Sequence, residues 1–382
     1  MTRREMFRLC GAGAVTLVGL GTGEKAETSS RLSALLQTVR EKHGVPALAA
    51  AVIVNGKVKD TAAVGVRKAG DAAPAKVRDR FHLGSCTKAM TAVLIGMAVE
   101  EGKLDWGTRL DAALPDLAAE MHEEAPAITV DHLLAHRSGL SPALHPRPSS
   151  LTVLAEIYRS AIAARRERLE FVRQILKEKP ATAVGSAYAY CNAGYVVLGV
   201  ILEHIWDAPW EALMRRRLFA PLGMRTGGFG AMGRPGKVEE PWQHRWRDGK
   251  PLPVEPGIFA DNPPALGPAG TAHASVVDWA KFLTATIEGP SKGNRLLKAA
   301  TWQRLQTPQF GGEYAGGWVV TSRPWGGQVL THAGSNTMSF CVAWLAPEKR
   351  FGAAIMTNVG GDRAATACDA AAAAIIGEYV KE

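Results

Sequence analysis

The 382-residue chain contains no apolar run approaching about 18 residues, so it carries no bundle of membrane-spanning helices. Its five cysteines include no Cys-x-x-Cys pair, which leaves a zinc ribbon or a thioredoxin-type redox motif without support. There is no phosphate-binding Gly-Lys loop, no dinucleotide fingerprint, no internal repeat and no low-complexity tract. Charged residues are only 21% and hydrophobic residues 47%, values of a soluble globular chain that exclude collagen, long coiled coil and intrinsic disorder. The length suits one large domain or two ordinary ones with a sizeable core. Lys plus Arg, 45, exceed Asp plus Glu, 36, giving a net charge of +9 and a pI of about 9.4. The densest basic clusters are Arg165, Arg166 and Arg168, then Arg215, Arg216 and Arg217. Both lie among helix-forming residues and read as solvated helix faces. No aromatic-interleaved basic motif accompanies them, so no nucleic-acid partner is expected. A basic protein suits work near an anionic cell wall or membrane surface.

What is present begins with Thr2-Arg3-Arg4-Glu5-Met6-Phe7-Arg8 and a short Gly-rich apolar stretch, Leu9 to Thr22. Paired arginines before such a stretch predict a twin-arginine-type export signal over residues 1–23, and so a periplasmic or cell-surface protein. Cys10 lies in that signal. Cys86, Cys191, Cys341 and Cys368 are expected as free buried thiols.

Ser30 to Lys42 has helical spacing, and Leu48 to Val54 reads as a strand. Asn55-Gly56 is a strong hairpin signal, and Lys57 to Val66 returns as a second strand. A helix is expected over Ser85 to Glu101, then mostly helices to about residue 260. Strands follow at Gly317 to Thr321, Gln328 to Ala333, Ser339 to Leu345 and Phe351 to Thr357, and an Ala-rich helix from about Asp362 to Lys381. The pattern predicts an α+β chain: one antiparallel sheet joining both ends, flanked by the N- and C-terminal helices. Residues 28–82 and 263–382 would form this α/β sandwich lobe, with 83–262 a mostly helical lobe inserted in it and a cleft between the two.

Three segments carry chemistry. Ser85-Cys86-Thr87-Lys88 is the one Ser-x-x-Lys in the chain and opens a helix, so Lys88 stands one turn above Ser85 on the same face. The helix N-terminus adds free N–H groups and positive dipole. A serine hydroxyl needs a base, and a lysine serves only if burial lowers its pKa. Tyr190-Cys191-Asn192 is the one Tyr-x-Asn. A tyrosine beside a lysine ammonium is expected to have a depressed pKa and to relay protons, with Asn192 turned toward the substrate. Third, His332-Ala333-Gly334-Ser335-Asn336 ends a predicted strand. His-x-Gly also occurs at His82-Leu83-Gly84, so order and spacing matter more than the tripeptide.

That ordered triple resembles the serine β-lactamase and penicillin-recognising enzyme family, most of all its class C branch with the D-alanyl-D-alanine carboxypeptidases and related esterases. The segments His132 to Leu140, Phe219 to Met224 and Leu266 to Gly270 look like further family signatures. The resemblance implies the β-lactamase/transpeptidase-like fold and an acyl-enzyme on Ser85. Lys88 would help to deprotonate Ser85, and Tyr190 would act as general base and relay. Asn192, His332, Gly334 and Ser335 would contact the substrate, and the N–H groups of Ser85 and Ser335 would form the oxyanion hole. No metal or organic cofactor is implied; the partner is a peptide or small-molecule substrate. His332 stands where class C β-lactamases have a lysine, and histidine is only partly charged at neutral pH. A D-alanyl peptidase or an esterase is therefore favoured over a class C β-lactamase. A slowly acylated sensor without turnover is the alternative of another class.

Two motifs compete. Gly289-Pro290-Ser291-Lys292-Gly293 matches an α/β-hydrolase elbow but follows a helix-like segment rather than a strand. His132 and His136 have zinc-ligand spacing, yet Leu133 stands where a metalloprotease needs Glu. Packing or capping is expected of both histidines.

Overall fold

The computed structural model describes residues 31–147 and 150–380. The expected export signal, with Cys10, lies outside the described residues. The strand β1, Ala47–Val54, is apolar throughout, as a strand covered on both faces must be. Leu48, Ala50 and Val52 face a cluster holding Leu32 and Leu36 of the first helix, Arg31–His43, and Ala367, Cys368, Ala371 and Ile375 of the last, Asp362–Tyr379. Ala49, Ala51 and Ile53 point the other way, into a larger core shared with Leu283 and Ile287 of the helix Val276–Lys292. At the hairpin, Asn55 and Gly56 have φ of 55° and 68°, the primed-turn geometry that matches strand twist, and β2, Lys57–Gly65, returns.

Five short strands follow: β3, Arg80–His82; β4, Gly228–Phe229; the hairpin strands β5, Gln243–Arg247, and β6, Lys250–Val254; and β7, Ala272–Ser275. The C-terminal strands are β8, Tyr314–Ala315; β9, Trp318–Arg323; β10, Gly327–Ser335; β11, Phe340–Ala346; and β12, Phe351–Thr357. The main sheet is antiparallel in the order β2-β1-β12-β11-β10-β9-β8. Ala50 stands opposite Ile355, so strands from the two ends of the chain pair inside the sheet.

Between them run the helices Thr87–Glu100, Val130–Leu134, Leu151–Arg159, Ala161–Leu176 and Asn192–Trp206. Thr87 to Ala98 is buried on every side, so this helix threads the core. The stretch expected as mostly helical also holds the β5–β6 hairpin, turning at Asp248-Gly249 with φ of 49° and 74°. Asp-Gly was the signal for it. Pro251 and Pro253 obscured it, and both are tolerated because they lie on β6, the outer strand of a two-stranded ribbon.

The arginine cluster is not one solvated face. The Arg166 side chain is 72% exposed, whereas Arg168 is fully buried. Residues two apart on a helix point about 200° apart, which separates them. Arg168 bonds Glu203, Glu211 at 2.6 Å, and the carbonyls of Ala265 (3.2 Å) and Pro264 (3.0 Å). It ties the helix Ala161–Leu176 to Asn192–Trp206 and to the segment that precedes β7.

Candidate active site

Ser85 sits in a single 3-10 turn, Gly84–Cys86, immediately before the helix Thr87–Glu100. Leu83 N–H bonds Ala272 O at 2.8 Å, and the Thr87 hydroxyl donates to Gly84 O at 2.7 Å, which pins the turn to β7 and to its own helix. Backbone lies directly on backbone here. A Cβ at Gly84 would stand 2.2 Å from Ser335 N, and one at Gly334 would stand 2.0 Å from Leu83 O and 2.9 Å from Ser85 N. Only glycine allows this approach, and Gly84 also has φ +47°. The result sets the peptide of Ser85 beside that of Ser335. His82 adds to the junction: its Nδ1 accepts the Gly84 N–H at 3.0 Å. Its Nε2 lies 2.7 Å from Asp261 Oδ1, approached obliquely, and Asp261 also takes the Asn336 amide at 3.0 Å.

Lys88 is fully buried. Its Nζ donates to Ser85 Oγ at 3.1 Å, Asn192 Oδ1 at 2.8 Å and Ala269 O at 2.8 Å, which uses all three ammonium hydrogens. None of the three partners is a carboxylate. Burial without a counter-charge disfavours the cation and lowers the Lys88 pKa to about 7.

Tyr190 lies in the irregular segment before the helix that Asn192 opens. Its hydroxyl shares a hydrogen bond with Ser85, and its ring centroid is 4.9 Å from Lys88 Nζ. The sequence led to a depressed tyrosine pKa. Burial instead raises it, outweighing the Ser85 hydrogen bond, because the phenolate loses more by desolvation than the neutral ring does.

His332 lies on β10, with Nδ1 2.6 Å from Ala333 O and Nε2 3.0 Å from the Tyr314 hydroxyl. A carbonyl can only accept, so Nδ1 carries the hydrogen and Nε2 accepts from Tyr314. Neither ring nitrogen is turned out toward a substrate carboxylate. Ser335 Oγ donates to Ser339 O at 2.7 Å and accepts the Thr337 N–H at 2.9 Å, so its side chain shapes the strand end while its backbone faces Ser85.

All seven residues singled out from the sequence therefore fall within one region: Ser85, Lys88, Tyr190 and Asn192 in direct contact, with His332, Gly334 and Ser335 along the adjoining strand. Three participants had no side-chain signal. Ala269 contributes a carbonyl, Tyr314 opens the two-residue strand β8 in a Gly-rich stretch without a motif, and Asp261 sits in a loop matching none. The competing motifs dissolve. Ser291 ends a helix and donates to Glu288 O at 2.8 Å. His132 closes a capping box with Thr129. Cys86, Cys191, Cys341 and Cys368 are free and buried.

The family profile described as Beta-lactamase matches residues 32–376. Penicillin-binding protein 4 of Amycolatopsis lactamdurans is 28% identical over 343 residues, covering 84% of this chain and 83% of that protein. Two solved structures share the fold. One is a beta-lactamase/D-alanine carboxypeptidase from Pseudomonas syringae, with a TM-score of 0.71, 18% identity, and 92% and 99% of the two chains covered. The other is a D-amino acid amidase from Ochrobactrum anthropi SV3, with a TM-score of 0.69, 20% identity, and 90% and 99% covered. With the buried helix behind Ser85, the antiparallel sheet and the flanking terminal helices, these matches establish the β-lactamase/transpeptidase-like fold, and the chain belongs to the β-lactamase family of serine hydrolases.

Proposed function

We propose that this chain hydrolyses amide or ester substrates through an acyl-enzyme on Ser85, with D-alanyl peptides and short esters preferred over β-lactams. The observation that carries the reading is Lys88: an amine with a pKa of about 7, 3.1 Å from a serine hydroxyl. As the free amine it takes the Ser85 proton while Oγ bonds to the substrate carbonyl carbon. The carbonyl oxygen becomes an oxyanion facing the N–H groups of Ser85 and Ser335. Tyr190, kept protonated by burial, gives its proton to the leaving nitrogen or oxygen and regains one from Lys88. Water then attacks the ester on Ser85 by the reverse relay. The base role thus moves to Lys88, and Tyr190 keeps the relay.

The preference within the class rests on His332. A β-lactam carries a fixed carboxylate that a lysine would hold, and both nitrogens of His332 are already engaged. The presence of a D-alanine carboxypeptidase and a D-amino acid amidase among the proteins of like fold is consistent with this preference. The Arg3-Arg4 pattern further supports export, to be tested by fractionating cells expressing the chain with both arginines changed to lysine.

Initial rates are measured on a nitrophenyl acetate, a D-alanyl-D-alanine peptide and a chromogenic cephalosporin, with Ser85→Ala in parallel. Ser85-dependent cleavage of ester and peptide, with slow cephalosporin turnover, is expected. Equal rates for wild type and Ser85→Ala would sink the reading. A burst without turnover would point to the slowly acylated sensor.

A further inference from the structure

His136 is buried at 2% exposure and adopts a left-handed backbone, φ +55°, which is uncommon for a residue with a Cβ. Such backbone strain persists only where the surroundings over-determine it, and it gathers at functional sites. Two acceptors of His136 serve the two neighbours of Tyr190. Its carbonyl accepts the Ala189 N–H at 2.8 Å, and its Nδ1 accepts the Cys191 N–H at 3.1 Å. The N–H groups of the residues on both sides of Tyr190 are therefore held by one residue. The imidazole also packs against the tyrosine, with ring centroids 4.3 Å apart, and against Tyr314 at 4.6 Å and Tyr195 at 5.2 Å. The segment that carries Tyr190 has no regular secondary structure from 187 to 191, so no ladder fixes it. The left-handed turn at 136 is what lets the carbonyl and the ring of the same residue face that segment together.

We propose that His136 is a positioning residue for Tyr190, clamping the segment so that the phenol hydroxyl stays on Ser85; this rests on the acyl-enzyme reading above. The clamp needs a hydrogen-bond acceptor at Nδ1 and a residue that tolerates a left-handed backbone. Asparagine meets both requirements: its Oδ1 overlays Nδ1 of histidine, and it enters this region readily. Leucine preserves the apolar volume and meets neither. A role limited to packing therefore predicts that leucine is the milder change, and the clamp predicts the reverse.

The test is steady-state ester hydrolysis by the full chain carrying His136→Asn or His136→Leu, each also in a Tyr190→Phe background, with melting curves for every variant. For His136→Leu, kcat is expected to fall at least tenfold while KM stays within twofold. His136→Asn should recover kcat to within threefold of wild type. In the Tyr190→Phe background, leucine should change kcat by less than twofold, since nothing remains to be positioned. If His136→Leu does not fold, His136→Gly replaces it, because glycine carries no strain at this φ. A folded leucine or glycine variant with wild-type kcat would overturn the proposal. So would an asparagine variant as impaired as leucine, or a full additional loss in the Tyr190→Phe background. If Ser85→Ala or Tyr190→Phe themselves leave the rate unchanged, the acyl-enzyme reading fails first, and the two failures are told apart.

Discussion

Lys88 carries both the chemistry and a cost. The folded chain holds its pKa at about 7, whereas an unfolded lysine titrates near about 10.4, so between these values the unfolded state binds more protons. Stability from this group therefore rises with pH across that window, and the full penalty is present below about 7. The rate follows the same titration. Ester hydrolysis should climb as pH passes about 7 and level off above, because only the free amine accepts the Ser85 proton. Lys88→Met should cut kcat by about 10²–10⁴-fold and, at pH 6, hold or raise the melting temperature by a few degrees, since the buried cation is gone. A flat profile across that range, or a melting temperature well below wild type, would contradict the assignment. Of the residues concerned, Ser85, Lys88, Tyr190 and Asn192 were legible from motif order alone. The direction of the Tyr190 shift was not, because it depends on how much of the ring the fold buries.

The turn of Ser85 and the end of β10 act as one unit, since glycine at 84 and 334 lets their backbones touch. A methyl at position 334 would overlap Leu83 O at 2.0 Å, so the strand or the turn has to move. Gly334→Ala is expected to lose at least a hundredfold in ester hydrolysis and to cost about 1–3 kcal/mol of stability, the range of overpacked sites. Activity assay and denaturant melts would read the two effects, and wild-type rates would show that the contact has slack. Six strands of the main sheet and both terminal helices were plain in the sequence, since apolar β-rich runs, Asn55-Gly56 and the Ala-rich C-terminus are local signals, whereas the two-residue β8 was too short to leave one. The β5–β6 hairpin was not, because two prolines masked its Asp-Gly turn. Nor was the burial of Arg168, which follows from where three other segments lie and not from its own helix.

Taken whole, the molecule depends on its two ends meeting. The last helix, Asp362–Tyr379, covers Leu48, Ala50, Val52, Ala353 and Ile355 together with the first. A chain ending at residue 361 should yield no cooperative melt and no Ser85-dependent hydrolysis; a truncated chain that still melts sharply and turns over ester would show that the helix is an accessory. The same architecture bears on how the protein is made. β1 is an interior strand of the finished sheet, yet its partner β12 is translated some three hundred residues later. At about 5–20 residues per second, the nascent hairpin waits about 15–60 s with an apolar, unpaired edge. During synthesis, that edge is the part of this chain most in need of a chaperone's shelter.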